Sequence, residues 1–552
     1  MIRSRLKRVI TSCFDEGVND GLWSSRGADK FTVELPKHQE QGDFSTNIAL
    51  VLAGIEKKNP RELAATIANK LVEHKDLIAT VDIAGPGFVN IVINPDVWRK
   101  LIPEIISKGS NFGISEIGAQ RKVMVEFVSA NPTGPLSIGH GRQAILGDSI
   151  ARLLEATGHD VYREYYYNNA GRQMRVLGES TRARYLELLG EDANFPEDGY
   201  QGEYIVDIAR TLVDDRGDSL KDSEDVVPFT KRAEKIIFKD ISSTLKRMGI
   251  VFDNYFNEQS LYENGHIDSV VSELKSKGYV YEKDNAVWFK TTEFGHNQDR
   301  VIIKSSGEPT YRLPDIAYHR EKFRRNFDWL IDIFGSDHIA TVPDVLAGVK
   351  ALGYDPAKVT VLLHQFVTLT RDGKQIKMST RKANFVTVDE LCDEVGIDPV
   401  RFFFMMRKAD SQMEFDLDLA TRQSQENPVY YVQYGYARLC SIIRQSREKG
   451  FDDGDFKDVD VSLLAEAEEL DLLKTVSAFP RIIESGALEL APHKLIFFLM
   501  EFAGQIHSYY NKHKVISDNK ALSVARLYLV RALTVVLKNG LVVAGLSAPE
   551  KM

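Results

Sequence analysis

Residues 123–147 read VMVEFVSANPTGPLSIGHGRQAILG, and this stretch decides the fold class. The run 123–128 holds β-branched and aromatic residues around a single acid, Glu126, the pattern of a short buried strand. Asn131, Pro132, Gly134 and Pro135 then form a turn. Ile145, Ile150, Leu153 and Leu154 follow at helical spacing, and Gly158 stands where that helix should end. A second strand over 161–167 completes a strand–loop–helix–strand unit, so an α/β, Rossmann-like, doubly wound parallel sheet is expected. Such a unit sets a helix N-terminus, with unbonded N–H groups and a positive dipole end, beside a glycine-lined turn. Gly139, His140 and Gly141 fall there: two glycines let a polyanion approach the backbone, and the imidazole can donate to a phosphate oxygen. The stretch predicts a nucleotide site without naming a reaction.

The 552 residues exceed what one core can serve, and about three or four units are expected. With 43% hydrophobic and 27% charged residues the composition is that of a globular protein, and no apolar run approaches a membrane span. The opening MIRSRLKRVITSCF is basic but reads as an amphipathic helix rather than an apolar leader. Cys13, Cys392 and Cys440 are too scattered for a disulfide framework or a zinc cluster, and the 12 histidines include no HExxH pair, so no bound metal is expected. A cytoplasmic location follows. The net charge of −9 argues against indiscriminate coating of nucleic acid but leaves room for one basic face.

Along the chain, residues 1–112 read as an α+β module, with 101–120 as a connector. Residues 113–397 form the sheet domain, interrupted at about 186–298 by an insertion with acidic, turn-rich segments and no legible chemistry. Residues 301–304 and 310–311 look like hairpin strands. Tyr311 and Asp315, four apart, bracket the change from strand to helix; Asp315 fits either a first-turn acid or a pocket acid. An apolar strand over 329–334 ends in Gly335-Ser336-Asp337-His338, at an edge where such sheets bind ligands. After the strand 359–367 comes a dense basic loop carrying Lys374, Lys377, Arg381 and Lys382 beside Gly373. Residues 398–552 turn helical. In NPVYYVQYGYARLCSI, residues 427–442, Tyr430 and Tyr434 share a face, as do Tyr431 and Arg438. Core packing and base stacking both fit that stripe.

PLSIGH, residues 135–140, resembles the HIGH signature of class I aminoacyl-tRNA synthetases, and EFVSANPTGPLSIGHGR is similar to arginyl-tRNA synthetases in particular. Lys377-Met378-Ser379 resembles their KMSK signature. QGDFSTNIAL, NPRELA and AGPGFVNI resemble the family's N-terminal module, which meets the outer corner of tRNA around the D-loop. The helix at 427–442 resembles the start of its anticodon-binding domain, and GLSAPEKM its terminus, with Lys551 where Arg is common. The departures are Ser137 for the first His of HIGH, Thr380 for the last Lys of KMSK, and Asn169 for a usual Asp.

The resemblance implies ligation of L-arginine to the 3′ end of tRNA(Arg) through arginyl-adenylate, with ATP giving AMP and pyrophosphate. It implies catalytic roles for His140, Lys377 and Ser379, and an ATP site of Pro132, Gly139, His140, Gly141, Lys377, Met378, Ser379 and Lys382. Arginine would be held by Glu126, Ser129, Asn131, Tyr311, Asp315 and His338, the last where some relatives have Gln. The tRNA contacts would include Tyr431, Tyr434, Arg438 and Met552. Mg2+ would travel with ATP, and the chain would act as a monomer. The guanidinium sets a physical demand of its own: five donors in one plane call for carboxylates, which Glu126 and Asp315 supply. Two other readings stand beside this one: another nucleotidyl-transferring enzyme on the same fold, and an RNA-binding relative without chemistry.

Overall fold

The structure is a computed structural model that describes residues 2–27, 30–36, 38–376 and 386–552, the side chains of residues 39, 338 and 453 apart. Its centre is a five-stranded parallel sheet of β1 (Lys122–Glu126), β2 (Asp160–Tyr167), β3 (Asn254–Asn257), β4 (Trp329–Gly335) and β5 (Val359–His364), in the order β5-β4-β1-β2-β3. Val123, Met124 and Val125 are fully buried, as a central parallel strand with helices on both faces requires. Helix α1 (Ile138–Glu155) buries Ile145, Ile150, Leu153 and Leu154, Leu153 lying beside Gly486 of the later helix Ala467–Leu488, and Gly158, at φ +79°, turns the chain out as its position predicted. Helix α2 (Arg312–Arg324) leads into β4.

Part of the expected insertion belongs to this sheet. β3, NYFN, pairs in parallel with β2 through Glu164–Asn254 to Tyr167–Asn257. Four residues with polar ends are too short to show a period, which is why the strand is silent in the sequence. The helix Gly171–Leu188 leads into that stretch, the rest of which holds the helices Glu203–Arg216 and Val227–Arg247 and two strands of a small antiparallel sheet, Val280–Lys283 and Ala286–Phe289. The third strand of that sheet, Arg300–Ile303, was expected to pair with 310–311. It pairs with Ala286–Phe289 and also makes the expected hairpin, with the second arm at 308–310: Ile303 bridges Pro309, Lys304 N donates to the Glu308 carbonyl at 2.9 Å and Thr310 N to that of Ile302 at 2.8 Å.

Ahead of the parallel sheet, strands Val33–Glu34, Phe44–Thr46, Phe88–Ile93 and Ile78–Ala84 pair antiparallel in that order, under helices Ile2–Asn19, Ile48–Glu56 and Pro60–Leu71. Behind it come four long helices, α3 (Pro428–Glu448), α4 (Ala467–Leu488), α5 (His493–Lys512) and α6 (Lys520–Val543). They are stitched to earlier chain: Asn539 Nδ2 donates to the carbonyls of Gly109 and Phe112, both at 2.9 Å, and Gln433 Nε2 to Asp398 at 2.7 Å. Among the described residues no helix is long and apolar enough to cross a membrane.

Candidate active site

At the C-terminal edge of β1 the backbone is strained. Val128 and Ser129 take φ +69° and +44°, and a β-branched residue in that region costs about 1–3 kcal/mol, held by what surrounds it. The surroundings are dense. Tyr165 Oη donates to the Ala130 carbonyl at 2.8 Å, Asn131 Oδ1 accepts from Asn168 N at 2.9 Å, and Tyr204 Oη donates to the Thr133 carbonyl at 2.8 Å. The twist brings Ser129 Oγ to 3.0 Å from Glu126 Oε1 and delivers the chain, past buried Pro132, to the start of α1.

Ser137 is the N-cap of α1, and His140 sits at the third helical position, where a capping box usually has Glu or Gln. His140 Nδ1 accepts the Ser137 backbone N–H at 3.2 Å, with Ser137 Oγ also 3.2 Å away. An Nδ1 that accepts leaves the ring proton on Nε2, so the imidazole is a donor at its far end. Burial, with His364 beside it, lowers the His140 pKa to about 4; the ring is neutral at physiological pH. The departure at Ser137 is therefore compatible with the cap: a small hydroxyl residue is a favoured N-cap, and the backbone N–H does the holding.

The glycines divide. A Cβ on Gly139 would meet only Ser137 Oγ, at 3.7 Å, so its face is open. Gly141 corrects the expectation of an open phosphate approach at both glycines. Its N–H is bonded to the Ser137 carbonyl at 3.0 Å, and a Cβ there would lie 2.7 Å from Val388. The missing side chain makes room for the segment after the basic loop, which is pinned on this cap: Ser137 bridges Thr387, and Val388 N donates to the Leu136 carbonyl at 2.9 Å. Lys377, Met378, Ser379 and Lys382 lie outside the described residues, as do Thr380 and Arg381. Arg142, fully buried, fastens the same corner by donating to the carbonyls of Gln365, Lys408 and Ser411 at 2.7–2.9 Å.

On the other half of the sheet, register aligns three acids: Asp332 on β4 faces Glu126 on β1, and Glu126 faces Glu164 on β2. All three are buried. Helix α2 supplies their partners from one face, at spacings of three and four. Lys322 Nζ, fully buried, donates to Glu126 Oε2 at 2.5 Å and Asp332 Oδ1 at 2.6 Å. His319 Nε2 meets Asp332 Oδ2 at 2.9 Å, and its Nδ1 donates to the Asp315 carbonyl at 2.8 Å. Tyr318 Oη and Arg325 serve Glu164 at 3.1 and 2.7 Å. Burial would push Asp332 up, but Lys322 and His319 hold it well below the usual carboxylate range; Glu126 stays raised, since burial outweighs Lys322. None of these partners was singled out in the sequence. The available signal was polar residues at 315, 318, 319 and 322, where an amphipathic helix should turn apolar ones inward.

Asp315 differs from the row beneath it. Partly buried in the first turn of α2, its carboxylate accepts no hydrogen bond among the described residues. Burial, together with Glu258 and Glu126, raises its pKa to about 7 against His319 and Lys322. Glu258, just beyond β3, is a further acid that sequence reading missed; it accepts from Tyr166 Oη at 2.6 Å and Asn168 Nδ2 at 2.8 Å. Tyr311, at the N-cap of α2, is 85% exposed, so it stands at the rim rather than forming a wall. Residue 338 lies in a 3-10 turn after β4, and its side chain is outside the described residues. Asn131 Nδ2 reaches Gln173 at 3.2 Å.

Far along the chain, Tyr430 and Tyr434 stack at 6.0 Å and Tyr434 stacks on His507 at 5.7 Å. Tyr431 packs on His507, while Arg438 lies 3.7 Å over Tyr510 and donates to Tyr434 Oη at 2.8 Å. Arg438 therefore pairs with Tyr434 rather than with Tyr431. The rings are partly exposed, and Met552 is 50% exposed.

Three family profiles match the chain: "Arginyl tRNA synthetase N terminal domain" over 2–93, "tRNA synthetases class I (R), catalytic domain" over 101–413, and "DALR anticodon binding domain" over 432–552. An arginine–tRNA ligase of Desulfotalea psychrophila is 73% identical over 552 residues, covering all of both chains. Another, of Citrifermentans bemidjiense, is 47% identical over 99% of this chain and all of its own. The solved structure of the Thermus thermophilus arginyl-tRNA synthetase shares the fold, with a TM-score of 0.77 at 21% identity over the whole of both chains.

Proposed function

The chain belongs to the arginyl-tRNA synthetase family and is an enzyme that uses ATP to ligate L-arginine to tRNA(Arg) through arginyl-adenylate, and on that premise we propose how its residues divide the work. The Asp315 carboxylate carries the reading. An acid that accepts no hydrogen bond among the described residues, raised to about 7 by burial beside Glu126 and Glu258, is relieved by a cation with in-plane donors, which is what the guanidinium of arginine offers. Asp315 and Glu126 take the guanidinium, with Tyr311 and His338 at the rim. Ser129 fixes Glu126, and Asn131 faces the α-amino end. Two planar acceptors favour arginine over lysine, whose ammonium cannot bridge them in one plane.

ATP lies over the N-terminus of α1. The open N–H side at Gly139, beside Pro132, and the Nε2 proton of His140 meet the phosphates, while Gly141 serves the packing beneath. Lys377, Met378, Ser379 and Lys382 act from the loop whose end is anchored at Thr387. The arginine carboxylate attacks the α-phosphorus, and neutral donors stabilise charge that grows on the equatorial and leaving oxygens. Mg2+ enters as part of the ATP substrate, on phosphate oxygens. Residues 1–112 meet the outer corner of the tRNA, 113–397 hold the chemistry, and 398–552 meet the anticodon, with Tyr431, Tyr434, Arg438 and Met552 among the contacts. The enzyme works as a cytoplasmic monomer.

Arginine-dependent ATP–pyrophosphate exchange with tRNA present tests the pocket. Asp315→Asn should raise the arginine KM about 100-fold, the scale of one lost charge-assisted pair, and leave the ATP KM within about threefold. Equal effects on both would remove Asp315 from arginine recognition.

A further inference from the structure

Beneath the arginine pocket lies a cation that no substrate reaches. Lys322 is 0% exposed and, among the described residues, is the one side chain that hydrogen-bonds both Glu126 and Asp332. A buried ammonium is retained only against strong compensation, and an apolar side chain of similar length would meet a need for packing alone. We infer that Lys322 is a positioning residue for amino-acid selection: it keeps Glu126 ionised and fixes which carboxylate oxygen faces the pocket. This rests on the reading of Glu126 and Asp315 as the guanidinium acceptors.

The surroundings explain why the task needs a cation. Across the strands Glu126 faces Asp332 on β4 and Glu164 on β2. From the cleft side it meets the field of Asp315, which also feels Glu258. Glu164 already has Arg325, and His319 is hydrogen-bonded to Asp332 and lends Glu126 a smaller favourable field than Lys322 does. The Tyr318 ring closes over Lys322 at 4.4 Å, and its hydroxyl points to Glu164, so it offers Glu126 no charge. With Lys322 removed, Glu126 would be a desolvated acid among other acids, and such a group takes up a proton. A protonated carboxyl presents a donor to the guanidinium and loses the match. Lys322 on Oε2 and Ser129 on Oε1 also hold the carboxylate plane in one orientation.

The test is pyrophosphate exchange with tRNA present, with KM for arginine and for ATP measured from pH 6 to 9. Relative to the parent at each pH, whose own arginine dependence follows Asp315, Lys322→Met should raise the arginine KM at pH 7 by about 30-fold or more, recover at least about fivefold by pH 9 as Glu126 ionises, and leave the ATP KM within about twofold. Lys322→Arg should return the arginine KM to within about fivefold of the parent. Asp332→Asn, which removes an acid opposing Glu126, should move the inflection in arginine KM to lower pH or leave it in place. A loss in Lys322→Met that is independent of pH, or that strikes both substrates alike, overturns the inference, and so does an upward shift in Asp332→Asn. Should Lys322→Met fail to fold, as thermal unfolding would reveal, Lys322→Arg and Asp332→Asn decide. Asp315→Asn separates the two readings. If it spares the arginine KM, the pocket is misassigned; if it raises that KM while Lys322→Met does not, only the role of Lys322 falls.

Discussion

The two halves of the parallel sheet meet their helices with opposite electrostatics. At the start of α1 the donors are neutral: backbone N–H groups and an imidazole whose inner nitrogen is spent on the Ser137 N–H. Along α2 the sheet-facing side carries Tyr318, His319, Lys322 and, just past its end, Arg325, set against three aligned acids. The topology is the same and the chemistry is not. A polyanion is met by dipoles that cost little to keep in place before it arrives. A cation needs acids, and acids placed side by side in low dielectric need internal counter-ions before the substrate arrives. The row of buried acids with its counter-ions therefore lies on the side that selects arginine, while the buried charges of α1, Arg142 and Asp148, are spent on packing contacts with backbone carbonyls and Arg401.

The largest effect that would break this contrast is on His140. His140→Ala should lower kcat for pyrophosphate exchange by about 100- to 1000-fold, the usual cost of one donor to developing charge, with the arginine KM within about threefold. An arginine KM that moves as far as kcat would mean the two sides are not separate.

pH sharpens the contrast. Asp315, raised to about 7, accepts a guanidinium only when ionised, so kcat/KM for arginine should climb as pH rises through about 7 and fall about tenfold per unit well below it. His140, lowered to about 4, is neutral throughout, so kcat at saturating arginine should show no inflection between about pH 5.5 and 8 from this group. The stability signs are opposite too. Between its ordinary 3.8 and about 7 Asp315 holds a proton in the folded state that the unfolded chain lacks, so its contribution falls as pH rises across that window. Between about 4 and 6.5 the unfolded chain protonates His140 and the folded one does not, so that contribution rises with pH. Calorimetric melts of Asp315→Asn and His140→Asn against the parent would separate the two slopes.

A smaller effect belongs to Gly141. Its Cβ would press on Val388, which is fully buried, so Gly141→Ala should destabilise by about 1 kcal/mol net: overpacking of about 1–3 kcal/mol less the helical preference for Ala. Because Thr387 and Val388 end the basic loop, the ATP KM should rise with it while the arginine KM stays; a denaturant titration and exchange kinetics check both. Smallest of all, Ser137→Ala should change kcat by no more than about threefold, since the backbone N–H still holds Nδ1 when the hydroxyl, equally 3.2 Å away, is removed.

What the sequence makes legible is local. The strand at Glu126, the helix start at residues 139–141 and the glycine that ends α1 are written in neighbouring residues. What it hides is assembled from afar. Lys322 meets Glu126 across 196 positions, and nothing in either segment marks the other. Glu258 comes from a stretch whose strand is four residues long. Val128 reads as one more residue of a strand, while the fold holds it in a left-handed turn that no periodicity announces. Gly141 was legible as a glycine at a helix start, but its reason, Val388, lies more than two hundred residues on.

The carbonyls of Gly109 and Phe112 sit in the connector before β1, and they find their donor on Asn539 of α6. The ring of Phe479, on α4, lies where any side chain at residue 113 would go, closing the same corner. For a chain made from its N-terminus, the entrance to the catalytic sheet stays unfinished until the last long helix has left the ribosome. A chain cut before α6 would leave both carbonyls without that donor.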